Sequence, residues 1–279
     1  MVQNFHMPPS GFGPGSQPSS EDGVELEYMP LPSGMRTYSP RLPDLGDRAG
    51  AGEALALLAR VADAAARVAV GGATESFDLT ILDPANLALI AETLGQGEVS
   101  LKIRGKPAVA AQESVFAGVW VLTGMGINRI EVAPVPVMAG TRAFLPDRPA
   151  IGVLAGRKAG VVNAPAIFAE LIDKSLSFAE GAEPHVVNLT LLPHTEEDLG
   201  WLDEALGQGS VTILSRGYGN CRVTATAQSH VWRVQFYNSM DTLILDTFEV
   251  TAMPEVAIAA PEDLADSARR IREVLEAIR

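Results

Sequence analysis

Between Ser215 and Pro254 the chain carries its one cysteine, Cys221, set between Asn220 and Arg222, then His230 and the polar turn Asn238-Ser239-Met240-Asp241-Thr242. A thiol beside a guanidinium is an arrangement that yields a thiolate, because the positive charge favours the deprotonated form. With His230 as base and Asp241 as its carboxylate, these residue types could build a nucleophilic centre or part of a metal site. Strand alternation points elsewhere. Cys221 shares a face with Val223, Ala225 and Ala227, while Arg222, Thr224 and Thr226 take the other. The cysteine is therefore expected to be buried as a small apolar side chain. His185, His194 and His230 have no i, i+3 or i, i+4 spacing to a second ligand, and Ser239 lacks a G-x-S-x-G context. What remains is a candidate partner-binding surface of Tyr218, Asn220, Arg222, Asn238, Met240 and Asp241, in which an exposed methionine can adapt to an irregular counterpart.

Composition narrows the classes. The 279 residues are 47% hydrophobic and carry 21 Lys and Arg against 34 Asp and Glu, a formal net charge of -13. A phosphate backbone is repelled by such a surface, so nucleic acid is not an expected partner. A single cysteine excludes an intramolecular disulfide and every CxxC motif. With neither a signal peptide nor a run of about 18 apolar residues, the expectation is a cytoplasmic protein without membrane insertion. Gly152, Gly156 and Gly160 form no phosphate-binding pattern. No cofactor is expected.

The elements that must position the turn read as an α+β protein of two tandem repeats with a mainly antiparallel sheet. Residues 1–48 are a Pro/Gly/Ser-rich arm expected to be disordered, with Met29–Met35 as a more apolar segment able to dock. The first repeat, 49–139, opens with an alanine-rich helix over Glu53–Val70 and continues with a strand over Phe77–Leu82. Asp83-Pro84 opens a helix to Leu94, and strands follow at 99–103, 108–115, 117–123 and 129–135. A connector spans 140–162. The second repeat, 163–279, has Asn163 as cap of a helix with an apolar face of Ile167, Phe168, Leu171, Ile172 and Leu176. A strand over Val186–Leu192 follows, then a helix opened by Thr195 and Asp198, then the Cys221 and Trp232 strands, and finally an amphipathic helix from Pro261. Leu-Gly-Gln-Gly at 94–97 and 206–209, Arg-Gly at 104 and 216, and Trp120 and Trp232 share an offset of 112. The flanking strands need offsets of 110 and 118. The polar cluster around Cys221 has no counterpart in the first copy, where Lys106, Ala108, Val109 and Ala110 stand, so specialisation is expected in the second.

The strings RGYGNCR (216–222), VWRVQFYNSMDTLILDTFEV (231–250), PEVAIAAPEDLADSARRI (254–271) and NAPAIF (163–168), with MPLPSGM in the arm, closely resemble the HupH/HyaF family of hydrogenase expression proteins. The resemblance covers most of the chain beyond the arm. It implies an accessory chaperone, not a catalyst, for maturation of a membrane-bound uptake NiFe hydrogenase. It further implies binding of the iron–sulfur small-subunit precursor before twin-arginine export, beside a thioredoxin-like companion of the HupG/HyaE type. A nickel-incorporation role is also attached to the family, and the competing class is a metal carrier or enzyme centred on Cys221, His230 and Asp241. The arm reading is open to limited proteolysis, which should cut before about residue 48 and leave a stable core. Protection of residues 1–28 in the free protein would overturn it.

Overall fold

The structure is a computed structural model that describes residues 52–216 and 220–278. The arm, Met29–Met35 and Tyr218 lie outside the described residues. Helix α1 (Gly52–Ala69), strand β1 (Glu75–Asp78), helix α2 (Pro84–Leu94), strands β2 (Val99–Ile103), β3 (Val109–Glu113), β4 (Val119–Gly124) and β5 (Ile127–Val132), and short helix α3 (Val137–Arg142) form the first half. The second half comprises α4 (Ala164–Leu176), β6 (His185–Asn188), α5 (Glu196–Leu206), β7 (Val211–Ser215), β8 (Asn220–Ala225), β9 (Val231–Tyr237) and β10 (Leu243–Val250), and α6 (Pro261–Ile278) follows it. One antiparallel sheet takes the strands in the order β1-β5-β4-β3-β2-β7-β8-β9-β10-β6.

The registers of the two half-sheets coincide once numbers are shifted. Ser100 faces Gln112 as Thr212 faces Thr224, and Glu113 faces Trp120 as Ala225 faces Trp232, each pair 112 residues on. Where the halves meet, Leu101 of β2 faces Ile213 of β7, its own counterpart, so a pseudo-twofold axis passes through that pair. The shared residues serve this scaffold. The indole N–H groups of Trp120 and Trp232 donate to the carbonyls of Ala133 and Thr251 at 3.0 and 3.1 Å. A Cβ on Gly97 would lie 2.1 Å from the Ser114 carbonyl oxygen, and one on Gly209 would lie 2.5 Å from that of Thr226, so only glycine fits either position.

Three apolar clusters hold the sheet. On one face, α1, α2 and α6 pack over β1, β5 and β4, and α4 and α5 pack over β6 and β10. On the other face a single cluster runs across both halves, joining Leu101, Trp120, Ile213, Cys221 and Trp232 under α3 and the segment around Met253 and Ala257. Burial of these alternating rows is the main driving force for the layers.

Several elements differ from their sequence readings. The strand expected over Phe77–Leu82 ends at Asp78, whose carboxylate accepts from the backbone N–H and hydroxyl of Thr80 and turns the chain. The strand expected over Val186–Leu192 stops at Asn188, and a 3-10 turn takes Leu189–Leu191. The strand at 129–135 runs from Ile127 and ends at Val132, where Ala133 donates to Gly118. Asn163 does not cap α4 with its side chain. Asp198, the third residue of α5, does that work, with Oδ1 accepting from the N–H groups of Val162, Asn163 and Ala164 at 2.8, 3.0 and 2.9 Å. Asn86 of α2 holds the N–H of Ala54 at the start of α1 in the same way, at 2.8 Å. Burial works to raise the Asp198 pKa, but these bonds outweigh it and hold the carboxyl below its usual range.

The last helix crosses back to the first half. Leu264, Ala268, Ile271 and Leu275 of α6 are buried with α1, and Ser267 donates to the Ala117 carbonyl. This explains why α1 is buried over more of its circumference than one sheet contact requires, with Ala54, Leu57, Val61, Ala64 and Val68 buried as well as Leu58, Ala62 and Ala65. Beside the start of α6 lies Glu113, where the second half has Ala225. Its Oε1 accepts from the Gly118 N–H at 3.0 Å. Burial, reinforced by Asp263 and Glu98, pushes its pKa from 4.5 up to about 7. The unfolded chain releases this proton near 4.5 while the folded chain retains it to about 7, so a penalty develops over that interval and is complete above it. Glu113→Gln should therefore raise the unfolding free energy from urea titration at pH 8 by up to about 3 kcal/mol, and change it little at pH 4.5. Equal effects at the two pH values would show that the carboxyl is not strained.

Candidate partner-binding surface

Of the residues singled out in the second half, Asn220, Asn238, Met240 and Asp241 gather at one end of β8, β9 and β10. Asn238 organises the turn between β9 and β10. Its Oδ1 accepts from the N–H groups of Met240 and Thr242 at 2.9 and 3.0 Å, while its backbone pairs with Thr242 and Asp241. Asp241 adopts φ of +56°, a conformation that Asp tolerates better than most residues. Asn220 of β8 reaches across to it, donating through Nδ2 to Asp241 Oδ1 at 3.2 Å. The turn is thus braced against the neighbouring strand, and it holds the Met240 side chain 79% exposed. A register shift between Leu243 and Leu245 sets Ile244 outward as well, and Leu243 and Ile244 add exposed apolar surface beside Met240.

Arg222 lies one strand in, its guanidinium 5.9 Å from the centre of the Tyr237 ring. It belongs to a row that crosses the sheet from Gln112 through Ser100, Leu214 and Arg222 to Gln235 and Asp246. Along the middle of that face Lys102, Ala110, Leu214 and Arg222 are exposed between the two helical layers. This floor was not among the sequence-derived candidates. The signal was present in the alternation of β2, β3 and β7, whose Lys102, Ala110 and Leu214 fall out of phase with the buried residues. Arg233 closes the floor at one side, donating to both oxygens of Asp246 at 3.0 and 2.6 Å.

Cys221 lies on the opposite face of β8. It is 3% exposed and packs with Val223, Ala225 and Trp232. Burial, and secondarily the charge of Glu249, push its pKa up to about 12. Arg222, the presumed activator, sits across the sheet from it. His230 precedes β9 and Asp241 follows it, so the seven residues of that strand separate them by roughly 20 Å. His230 stacks on Phe178 with ring centroids 4.0 Å apart, and burial lowers its pKa. The structure therefore does not bring Cys221, His230 and Asp241 together. His185 pairs with Glu170 at 2.8 Å, and His194 approaches the Leu192 carbonyl. Among the described residues no group of three or more His, Cys, Asp or Glu is placed to hold a metal ion.

Comparison with known proteins decides the family. Residues 52–143 and 161–278 match the family described as "HupH hydrogenase expression protein, C-terminal conserved region". The chain belongs to the HupH family. HupH relatives match it end to end. The hydrogenase expression/formation protein HupH of Rhodobacter capsulatus is 64% identical over 279 residues, covering 100% of both chains. HoxQ of Cupriavidus necator, also a hydrogenase expression/formation protein, is 44% identical over 99% of this chain and 98% of its own. The hydrogenase-1 operon protein HyaF of Escherichia coli K12 is 30% identical over 98% and 95%. A solved structure, the hydrogenase expression protein HupH from Thiobacillus denitrificans, is 28% identical, covers 43% of this chain and 98% of its own, and has a TM-score of 0.38.

A buried thiol with a pKa near 12 has almost no thiolate at neutral pH. Cys221 should resist iodoacetamide at pH 8 in the folded protein and react at the ordinary rate in denaturant, as mass spectrometry can follow. Cys221→Ala should fold and stay functional, while Cys221→Ser should cost about 1–3 kcal/mol by burying a hydroxyl. Rapid native labelling would contradict the packing role.

Proposed function

We propose that this chain is an accessory chaperone in hydrogenase maturation, and that it holds the iron–sulfur small-subunit precursor of an uptake NiFe hydrogenase before twin-arginine export. The observation that carries the maturation role is the end-to-end similarity to hydrogenase expression/formation proteins at up to 64% identity. The reading of chaperone rather than catalyst draws on the turn itself, where Asn238, Asn220 and Asp241 bond to one another and present Met240 outward. Such a surface recognises a partner. A thioredoxin-like companion of the HupG/HyaE type is part of the same proposal.

A twin-arginine signal joins a basic segment to an apolar one. A chain of net charge -13 attracts the first over distance, and exposed Met240, Leu243 and Ile244 offer contact to the second. Binding of the purified precursor should weaken as salt rises from about 0.05 to about 0.5 M, because attraction between exposed charges is screened beyond about 10 Å at 0.1 M. Part of the affinity should survive at high salt through apolar contact. Met240→Asp should weaken binding about tenfold, near 1.4 kcal/mol. Met125→Asp, at an equally exposed turn of the first half, should matter less. Equal binding by wild type and Met240→Asp would remove the turn from the interface, and no binding to any hydrogenase subunit would remove the chaperone reading.

A further inference from the structure

The two halves are built alike, but α6, the last helix of the chain, packs on the first of them. In the first half α6 packs on α1, and the side of α1 that carries Asp63, the partner of Arg272 in α6, also carries Leu55, Ala59, Ala62 and Ala66 of the shared apolar cluster. Ala62 is fully buried there, and Arg272 of α6 donates to Asp63 at 2.8 Å. Helix α4 is the counterpart of α1 at an offset of 110. It sits on β10 and β6 and beside α5 as α1 sits on β5 and β1 and beside α2, and its first N–H is held by Asp198 as that of Ala54 is held by Asn86. The stripe on α4 equivalent to the covered side of α1 is Pro165, Ala169, Ile172, Asp173 and Leu176.

Nothing among the described residues covers that stripe. Leu176, expected from its spacing to be part of the apolar face, is 84% exposed, against a half-buried Ala66 in the first half. Ile172 and Leu176 form one wall of a groove of about 530 Å³ whose floor and far wall are Phe168, Trp201 and Val153. Phe168 and Trp201 meet edge to face at 5.7 Å, and the Trp201 indole donates to the Ala155 carbonyl, so the groove has a fixed aromatic base. Asp173, the counterpart of Asp63, lines the groove together with Arg157, its side chain 76% exposed and Lys174 3.9 Å away. Glu196, Glu197 and Glu204, with Lys158 among them, line an adjoining depression that also borders Trp201.

We infer that this groove is the seat of an amphipathic helix supplied by a partner protein, lying along α4 as α6 lies along α1 and carrying an arginine or lysine that pairs with Asp173. The first half supplies the template for both the apolar contact and the charge. Asp173 favours a cation at that point of the occupant, as Asp63 takes Arg272 in the first half. Ile172 and Leu176 stand where the first half has alanines, which sets the incoming helix toward the far end of the usual 8–10 Å spacing between helix axes. Helix-in-groove recognition reads such a segment through residues one turn apart. This inference rests on the comparison of the two halves and not on the hydrogenase role.

The probe is a fluorescent synthetic peptide with the α6 sequence, Pro261–Ile278, added to the full-length protein and followed by anisotropy. Saturable binding is expected. Leu176→Asp should reduce affinity at least tenfold and Asp173→Arg severalfold, and a peptide carrying Arg272→Glu should regain affinity for the Asp173→Arg protein. Absence of saturable binding up to about 1 mM, a range in which even weak helix docking registers, would overturn the inference. So would binding that is lost in Asp63→Arg and kept in Asp173→Arg, since the peptide would then be replacing α6 in the first half. A photo-crosslinking residue placed at Leu176 of the full chain discriminates the occupants. Capture of the chain's own residues 1–51, or of a second copy, would refute a partner helix, whereas capture of the peptide supports it.

Discussion

The pairing of β2 with β7 is the contact on which the remainder of the molecule depends. Each half-sheet, taken alone, would end in an exposed edge strand, a row of unpaired N–H and C=O groups open to other chains. The antiparallel register between Val99–Ile103 and Val211–Ser215 satisfies both edges at once and sets Leu101 against its own counterpart Ile213. It also makes one continuous apolar face from two. Trp120 and Trp232 flank the junction in a shared cluster with Cys221, so the cysteine that looked chemical on paper is placed under the seam. A strand buried on that face cannot offer a thiolate without opening the core.

Much of this was legible in the residues. Period-two alternation located β2, β8 and β9, and Asp83-Pro84, the Thr195 capping box and Pro261 located three helix starts within a residue. Local hydrogen bonding decided what alternation missed. Asp78 and Thr80 end β1 early, and a 3-10 turn ends β6, because a side-chain or three-residue bond is cheaper than extending an edge strand by four residues. Asn163 illustrates another limit. Its type and position fit a cap, but a carboxylate 35 residues further on, from Asp198, satisfies the same N–H groups, and no local pattern reveals that.

The candidate surface was legible in part. The turn at Asn238–Thr242 and its exposed methionine follow from composition, and the link from Asn220 to Asp241 follows once β8 and β9 are paired in register. The open floor around Lys102, Leu214 and Arg222 is different. Its exposure depends on where the helices stop, which is a property of the layer above the sheet and not of the strands below. The same holds for Leu176, which has the spacing of a core residue and the exposure of a surface one.

That last residue shows how a duplicated scaffold separates stability from recognition. Two equal halves each present an apolar helix side that must be covered, and one terminal helix is available. Given to the first half, α6 buries an alanine-rich side of α1 at close range, where small side chains allow long contact but would offer a partner little area. The second half keeps Phe168, Ile172, Leu176 and Trp201, larger side chains that carry more contact area per residue and whose aromatic pair is already fixed. A rigid, open apolar side is costly to leave in water, and among natural monomers patches of this kind mark interaction sites. The half that carries the distinctive turn at Met240 is therefore also the half whose first helix is left open among the described residues, so both proposed contacts fall on one of two like units while the terminal helix closes the other.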